Sequence, residues 1–163
     1  MMPGSSRSGF TLLELAVAIF LVLLLMAAAL PSLLGQAARQ RLQLAYDRFD
    51  SLVADAQRHS VTDGKPYILT WAPSGAIRLY PADWNPADKK ATAAASLVPA
   101  NEDDHYTLVR DASLTAAPAP VWTFWPSGNC EPVSVRFEGA SGTWTAQYNA
   151  LSTRGNITRF VAR

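Results

Sequence analysis

One carboxylate, Glu14, stands inside a stretch of this chain that is otherwise nearly all apolar. Between Arg7 and Arg39 it is the only charged side chain. A buried acid in an apolar helix costs about 2.5–3.5 kcal/mol at mid-membrane and less near an end. A charge partner offsets that cost, and so does water at a headgroup surface. The other chemistry-bearing residues are sparse. His59 and His105 lie far apart, and neither has a second ligand at a metal-binding spacing. His59 falls at the end of a helical pattern, where an imidazole meets the helix dipole. Cys130 is the single cysteine, so no intramolecular disulfide can form, and no histidine lies near it to activate a thiolate. Glu102-Asp103-Asp104 could hold calcium, but no further oxygen ligands follow at regular spacing, which favours a solvated loop. No enzyme activity, metal or cofactor is expected from this set.

The elements around these residues explain more. The chain has 163 residues and a formal charge of +1, which suits one soluble domain plus an extra element and disfavours a general nucleic-acid magnet. Residues 15–34 are almost wholly apolar. About 20 helical residues span roughly 30 Å, the thickness of a bilayer core. A cleaved secretory signal has a shorter apolar region, about 7–15 residues. A plain membrane anchor fits the length but has no use for Glu14. Beyond Arg39, Leu42, Ala45, Tyr46, Phe49, Leu52, Val53 and Ala56 recur at helical spacing. Arg41, Gln43, Asp47, Arg48, Asp50 and Asp55 fall between them, on the solvated side. One helix is therefore expected from about Phe10 to Ser60, about 75 Å long at 1.5 Å per residue. Pro31 should kink it. Asp63-Gly64 reads as its closing turn.

At this point the residues resemble a family. Gly9-Phe10-Thr11-Leu12-Leu13-Glu14, the apolar run and Pro31 resemble the prepilin signature of type IV pilins and type II secretion pseudopilins. The resemblance implies a leader, residues 1–9, cut after Gly9 by a prepilin peptidase. It implies N-methylation of the new terminal Phe10. It also implies that Glu14 guides filament assembly by pairing with the terminal amine of a neighbouring subunit. In a low-dielectric setting that attraction is much stronger than in water. Arg7, the one leader charge, agrees with a cytoplasmic N-terminus.

The remainder reads as β. Nine of the 11 prolines lie beyond residue 65. Residues 66–71 and 76–80 flank Pro73-Ser74-Gly75 as a hairpin, and residues 133–137 and 143–148 flank Gly139-Ala140-Ser141-Gly142 as another. Residues 105–109, 121–125 and 157–161 read as further strands, and residues 81–104 as one long loop. Trp71, Trp122, Trp125 and Trp144 fall in strands and suit a core; Trp84, in the loop, could touch a partner. The expected fold is α+β, a long helix packed on an antiparallel β domain of sandwich type. Its parts are residues 1–9 (leader), 10–38 (transmembrane half), 39–62 (amphipathic half) and 63–163 (periplasmic β domain).

This half resembles the C-terminal domain of H-type minor pseudopilins and related minor type IV pilins, through Pro126-x-Gly128, a hairpin and a closing strand. DNA-binding minor pilins carry Gly-Arg-x-Arg near the end. Here the order is Arg154-Gly155-Asn156-Ile157-Thr158-Arg159, with Arg163 terminal, so the arginines are present at a different spacing. The resemblance implies a minor pseudopilin, a structural subunit at or near the tip of a type II secretion pseudopilus. Implied partners are other minor and major pseudopilins, the prepilin peptidase, an inner-membrane assembly platform and inner-membrane lipid. The alternatives are a minor type IV pilin acting in assembly, adhesion or DNA uptake, and a membrane-tethered periplasmic enzyme for which Glu14 is dispensable.

Overall fold

A computed structural model describes residues 11–85, 92–109, 121–151 and 154–163, without the side chains of residues 27–34. The chain divides into two compact units, Met1–Ala37 and Ala38–Arg163.

A single helix, α1, runs from Leu12 to Thr62 and continues through Pro31. Its start is capped locally. Thr11 Oγ1 accepts the Glu14 N–H at 3.3 Å, and Thr11 C=O accepts the Leu15 N–H at 3.2 Å. Thr11-x-x-Glu14 thus has capping-box spacing, with an acid in the first turn where the dipole favours it. In the first unit, the large apolar side chains of Leu12–Met26 are all at least half exposed. Apart from Glu14 the stretch is apolar all round, a surface that favours being covered. Among the described residues no helix is long and apolar enough to cross a membrane.

In the second unit α1 becomes one-sided. Leu42, Tyr46, Phe49, Leu52, Val53 and Ala56 are buried, the spacing expected of a core-facing stripe. Ser60, fully buried, ends that stripe and donates its hydroxyl to Gln57 C=O and Trp125 C=O. Gly64, at φ 65°, then turns the chain.

Eight strands follow among the described residues: β1 Tyr67–Trp71, β2 Ile77–Pro81, β3 Ala95–Leu97, β4 His105–Val109, β5 Val121–Phe124, β6 Val133–Gly139, β7 Gly142–Tyr148 and β8 Asn156–Ala162. They form two antiparallel sheets, ordered β3-β2-β1-β5 and β4-β6-β7-β8. Both expected hairpins are present. The β6–β7 turn is tight, with Gly139 opposite Gly142. Gly142 sits at φ 136°, and a Cβ there would lie 2.9 Å from Ala162 Cα, so no other residue fits without strain. One expectation fails. The stretch 81–104 is not all loop, because β3 pairs Leu97 with Ile77 and buries Leu97. Ala-Ser-Leu has little β propensity of its own, so the neighbouring β2 edge decides its conformation.

The core is built around Phe49. Its ring stacks on Tyr106 of β4 and Trp122 of β5, with centroids at 5.5 and 6.5 Å. It also meets Trp144 and Tyr148 of β7 at 5.9 and 6.0 Å. One helix residue therefore joins strands of both sheets. Each such aromatic pair contributes about 0.5–1.5 kcal/mol beyond the burial of its area.

Candidate functional site

Glu14 lies exposed in the first turn of α1, with Leu12 and Leu13 beside it and more than three-quarters exposed. Its backbone N–H is held by Thr11. No cation among the described residues is paired with its carboxylate. The site therefore presents one acid at the head of an apolar helix surface, able to receive a cation from outside the chain's described part. Gly9 and Phe10 lie outside the described residues, as does the Pro31 side chain.

The three C-terminal arginines do not form one cluster. Arg154 is 87% exposed and its Nε lies 3.7 Å from Asp50 Oδ2. Arg159 and Arg163 are exposed on and just after β8. They are four residues apart on one strand face, about 13 Å at 3.3 Å per residue.

Asp50 is the residue that helical periodicity alone misplaced on the solvated side. Its side chain is only 15% exposed. Its Oδ1 accepts the Gly155 N–H at 3.0 Å and the Tyr148 hydroxyl at 3.2 Å. Tyr46, one turn earlier, donates its hydroxyl to Gly155 C=O at 2.7 Å and touches Asp50 at 3.5 Å. Burial, then Asp50, holds the Tyr148 hydroxyl well above its ordinary pKa, and burial followed by Asp50 also raises Tyr46. The carboxylate ties α1 to the turn between β7 and β8 and so fixes where β8 begins. The signal in the sequence was the i,i+4 pair Tyr46–Asp50 at the margin of the apolar stripe.

The remaining candidates are structural. His59 lies 3.8 Å from Asp63 and packs on Tyr67, in addition to its place in the last turn of α1. His105 is exposed at the start of β4. Cys130 is buried, and desolvation lifts its thiol to about 11, which leaves it inert as a nucleophile at neutral pH. The acidic triplet is not uniformly solvated. Asp104 is buried, and its Oδ2 accepts from Asn101 Nδ2 at 2.9 Å and from the Asn101 N–H at 3.1 Å, closing a turn into β4. No group of metal-ligating side chains occurs among the described residues. Trp122 and Trp144 are fully buried, whereas Trp125 is 36% exposed. Trp84 stacks flat on Tyr80, with centroids 3.9 Å apart, which accounts for its ring within the chain.

The N-terminal stretch and the fold each have likenesses among known proteins. Residues 4–30 match the prokaryotic N-terminal methylation motif. No curated protein matches the chain. The fold is similar to the type IV minor pilin FimU of Pseudomonas aeruginosa, with a TM-score of 0.52 at 11% identity over 74% of this chain and 88% of FimU. Two structures of the minor pseudopilin EpsH from Vibrio cholerae give TM-scores of 0.47 and 0.49 at 12% and 11% identity, over 74% and 73% of this chain and 95% and 94% of EpsH. The chain is thus pilin-like in fold, with the N-terminal signature of prepilin-type proteins.

Proposed function

We propose that this protein is a structural subunit of a pilin-like filament, a minor pseudopilin of a type II secretion system placed at or near the filament tip. The observation that carries the reading is the methylation motif over residues 4–30, with Glu14 in the first turn of an apolar helix. In this reading a prepilin peptidase cuts after Gly9 and Phe10 is N-methylated. The new ammonium pairs with Glu14 of an adjacent subunit. An unpaired acid among apolar helices is costly, so the pair sets the register of each added subunit. Residues 10–38 cross the inner membrane before assembly. The described apolar side chains, Leu12–Met26, cover about 22 Å at 1.5 Å per residue. The apolar sequence continues to Leu34, which supplies the length a bilayer core of roughly 30 Å needs. The β domain lies in the periplasm, and partners are other pseudopilins and the assembly platform. The fold's role here is structural, not enzymatic.

The second version of the same reading is a minor type IV pilin. The exposed arginines Arg159 and Arg163 favour it to the extent that DNA uptake is involved. A clean deletion, scored in one strain for exoprotein secretion and surface pili, separates the two. Loss of secretion with pili intact supports the pseudopilin; loss of pili or transformation with secretion intact supports the pilin. Glu14→Ala tests the shared premise. It should leave the protein in the membrane and abolish function, and an active Glu14→Ala variant would return the anchored-enzyme alternative.

A further inference from the structure

Among the described residues the two sheets have four edge strands, and they differ sharply in how much open backbone they present. β3 has three residues. β5 has four and is covered by the turn that follows it, since Cys130 bridges Phe124 and the Glu131 N–H donates to Thr123 C=O at 3.2 Å. β4 has five. β8 has seven, and it contains neither proline nor lysine. Natural edges are usually blunted by brevity, proline, lysine or a cover. Among the described residues, β8 pairs only with β7.

The register shows which backbone groups face out. The Arg163 N–H donates to Ser141 C=O at 3.0 Å. Hydrogen-bonded pairs alternate along an antiparallel ladder. Val161 and Arg159, opposite Thr143 and Thr145, therefore bond inward. Phe160 and Ala162 turn their N–H and C=O groups away from β7. The side chains at this edge are also open, with Phe160 37% and Val161 43% exposed.

Charge decides what could pair there. Arg136, Thr145 and Arg159 form one row across the sheet. Arg136 is bound to Glu138, but Arg159 has no ion pair among the described residues. Arg163 shares a shallow cleft with Asp103 and Glu138. β8 itself carries no acid. A second copy paired antiparallel would gather both copies' arginines at one seam, which like-charge repulsion opposes.

We propose that β8 accepts a fifth strand, an extended acidic segment of a partner protein. Carboxylates on one face of that segment meet Arg159 and Arg163, and an apolar side chain lies beside Phe160. Backbone hydrogen bonds supply the general affinity and the side chains supply selectivity, as in other strand additions. The inference stands on the geometry of β8 and does not depend on the filament reading.

The test uses the full chain in detergent and a labelled, end-blocked heptapeptide of alternating Glu and Val, followed by anisotropy. Saturable binding is expected, and weaker binding for the Lys–Val analogue. Ala162→Pro removes an outward N–H while leaving the inward bonds of Val161 and Arg163, so affinity should fall at least about fivefold. Arg159→Glu should lower it about two- to fivefold, the worth of an exposed ion pair. Arg78→Glu, an exposed arginine on β2, should not change it. Hydrogen exchange on the unmodified chain supplies a readout free of any folding defect, since the Phe160 and Ala162 amides should slow when peptide is added. Absence of saturable binding in the low millimolar range overturns the proposal, as do unchanged amide exchange rates. Equal binding by Ala162→Pro would reduce the edge to a charge patch. Displacement of the peptide by duplex DNA that binds Ala162→Pro undiminished would assign the edge to nucleic acid instead.

Discussion

Replacing Asp50 with alanine should destabilise the β domain by about 2–4 kcal/mol. The carboxylate accepts from Gly155 N–H at 3.0 Å and Tyr148 hydroxyl at 3.2 Å. Tyr148 is fully buried, so its hydroxyl would be left without an acceptor, at a cost of about 1–3 kcal/mol. Gly155 is half-buried, and water recovers part of its lost bond, leaving about 1 kcal/mol. Tyr46 keeps Gly155 C=O as an acceptor and loses little. Arg154, 87% exposed, adds almost nothing because solvent screens the pair. Urea unfolding of the full chain in detergent, followed by tryptophan fluorescence, measures the change, since Trp122 and Trp144 are fully buried reporters. The double variant Asp50→Ala/Tyr148→Phe sharpens the test. Removing the stranded hydroxyl should make the pair cheaper than the sum of the single changes by about 1 kcal/mol or more. A loss below about 0.5 kcal/mol for Asp50→Ala, or strict additivity in the double variant, would refute the reasoning, given that such cycles resolve about 0.3–0.5 kcal/mol.

Phe49→Ala removes the ring that joins the two sheets and should cost about 3–5 kcal/mol in the same assay. Alkaline titration should be destabilising. The bond to Asp63, with burial second, lifts Tyr67 from 10.0 to about 12, so the folded chain keeps a proton that the unfolded chain loses. That stability is complete below pH 10.0 and disappears as the pH rises towards about 12, with burial of Tyr106 and Tyr148 acting in the same sense. Tyrosinate absorbance and unfolding free energies across that range check it, and rising stability there would contradict the assignment. Cys130, buried and with its thiol lifted to about 11, should resist a thiol reagent at neutral pH until the domain unfolds. Rapid modification of the folded chain would show that the site opens.

Local patterns determined a large part of this protein. The division of the helix into an apolar and an amphipathic half was legible because its apolar residues recur at the helical period, within one turn of each other. Leu42 to Ala56 lie where that period puts them. Both hairpins were legible because Gly75 and Gly142 supply backbone angles that few other residues adopt. The isolated acid Glu14 and the residues around it carried the filament reading. The Thr11–Glu14 capping box was equally present in the sequence, and its short spacing would have revealed it.

Contacts between distant parts of the chain lay beyond such patterns. The partners of Asp50 are 98 and 105 residues away, so periodicity could report only its place beside a polar helix face, not its burial. Asp104 is covered by the packing around it although its sequence neighbours are exposed acids. β3 exists because the β2 edge offers hydrogen bonds to a sequence with little preference for a strand. The open edge of β8 follows from the order of strands in the sheet, a property of the whole tertiary arrangement. The sequence by itself determined the long helix and most of the strands, because those patterns repeat within a few residues, and it set one acid, Glu14, in an apolar run. Tertiary structure alone decided which polar groups are buried and, among the described residues, which strands lie at a sheet edge, because both depend on what packs against them from elsewhere in the chain.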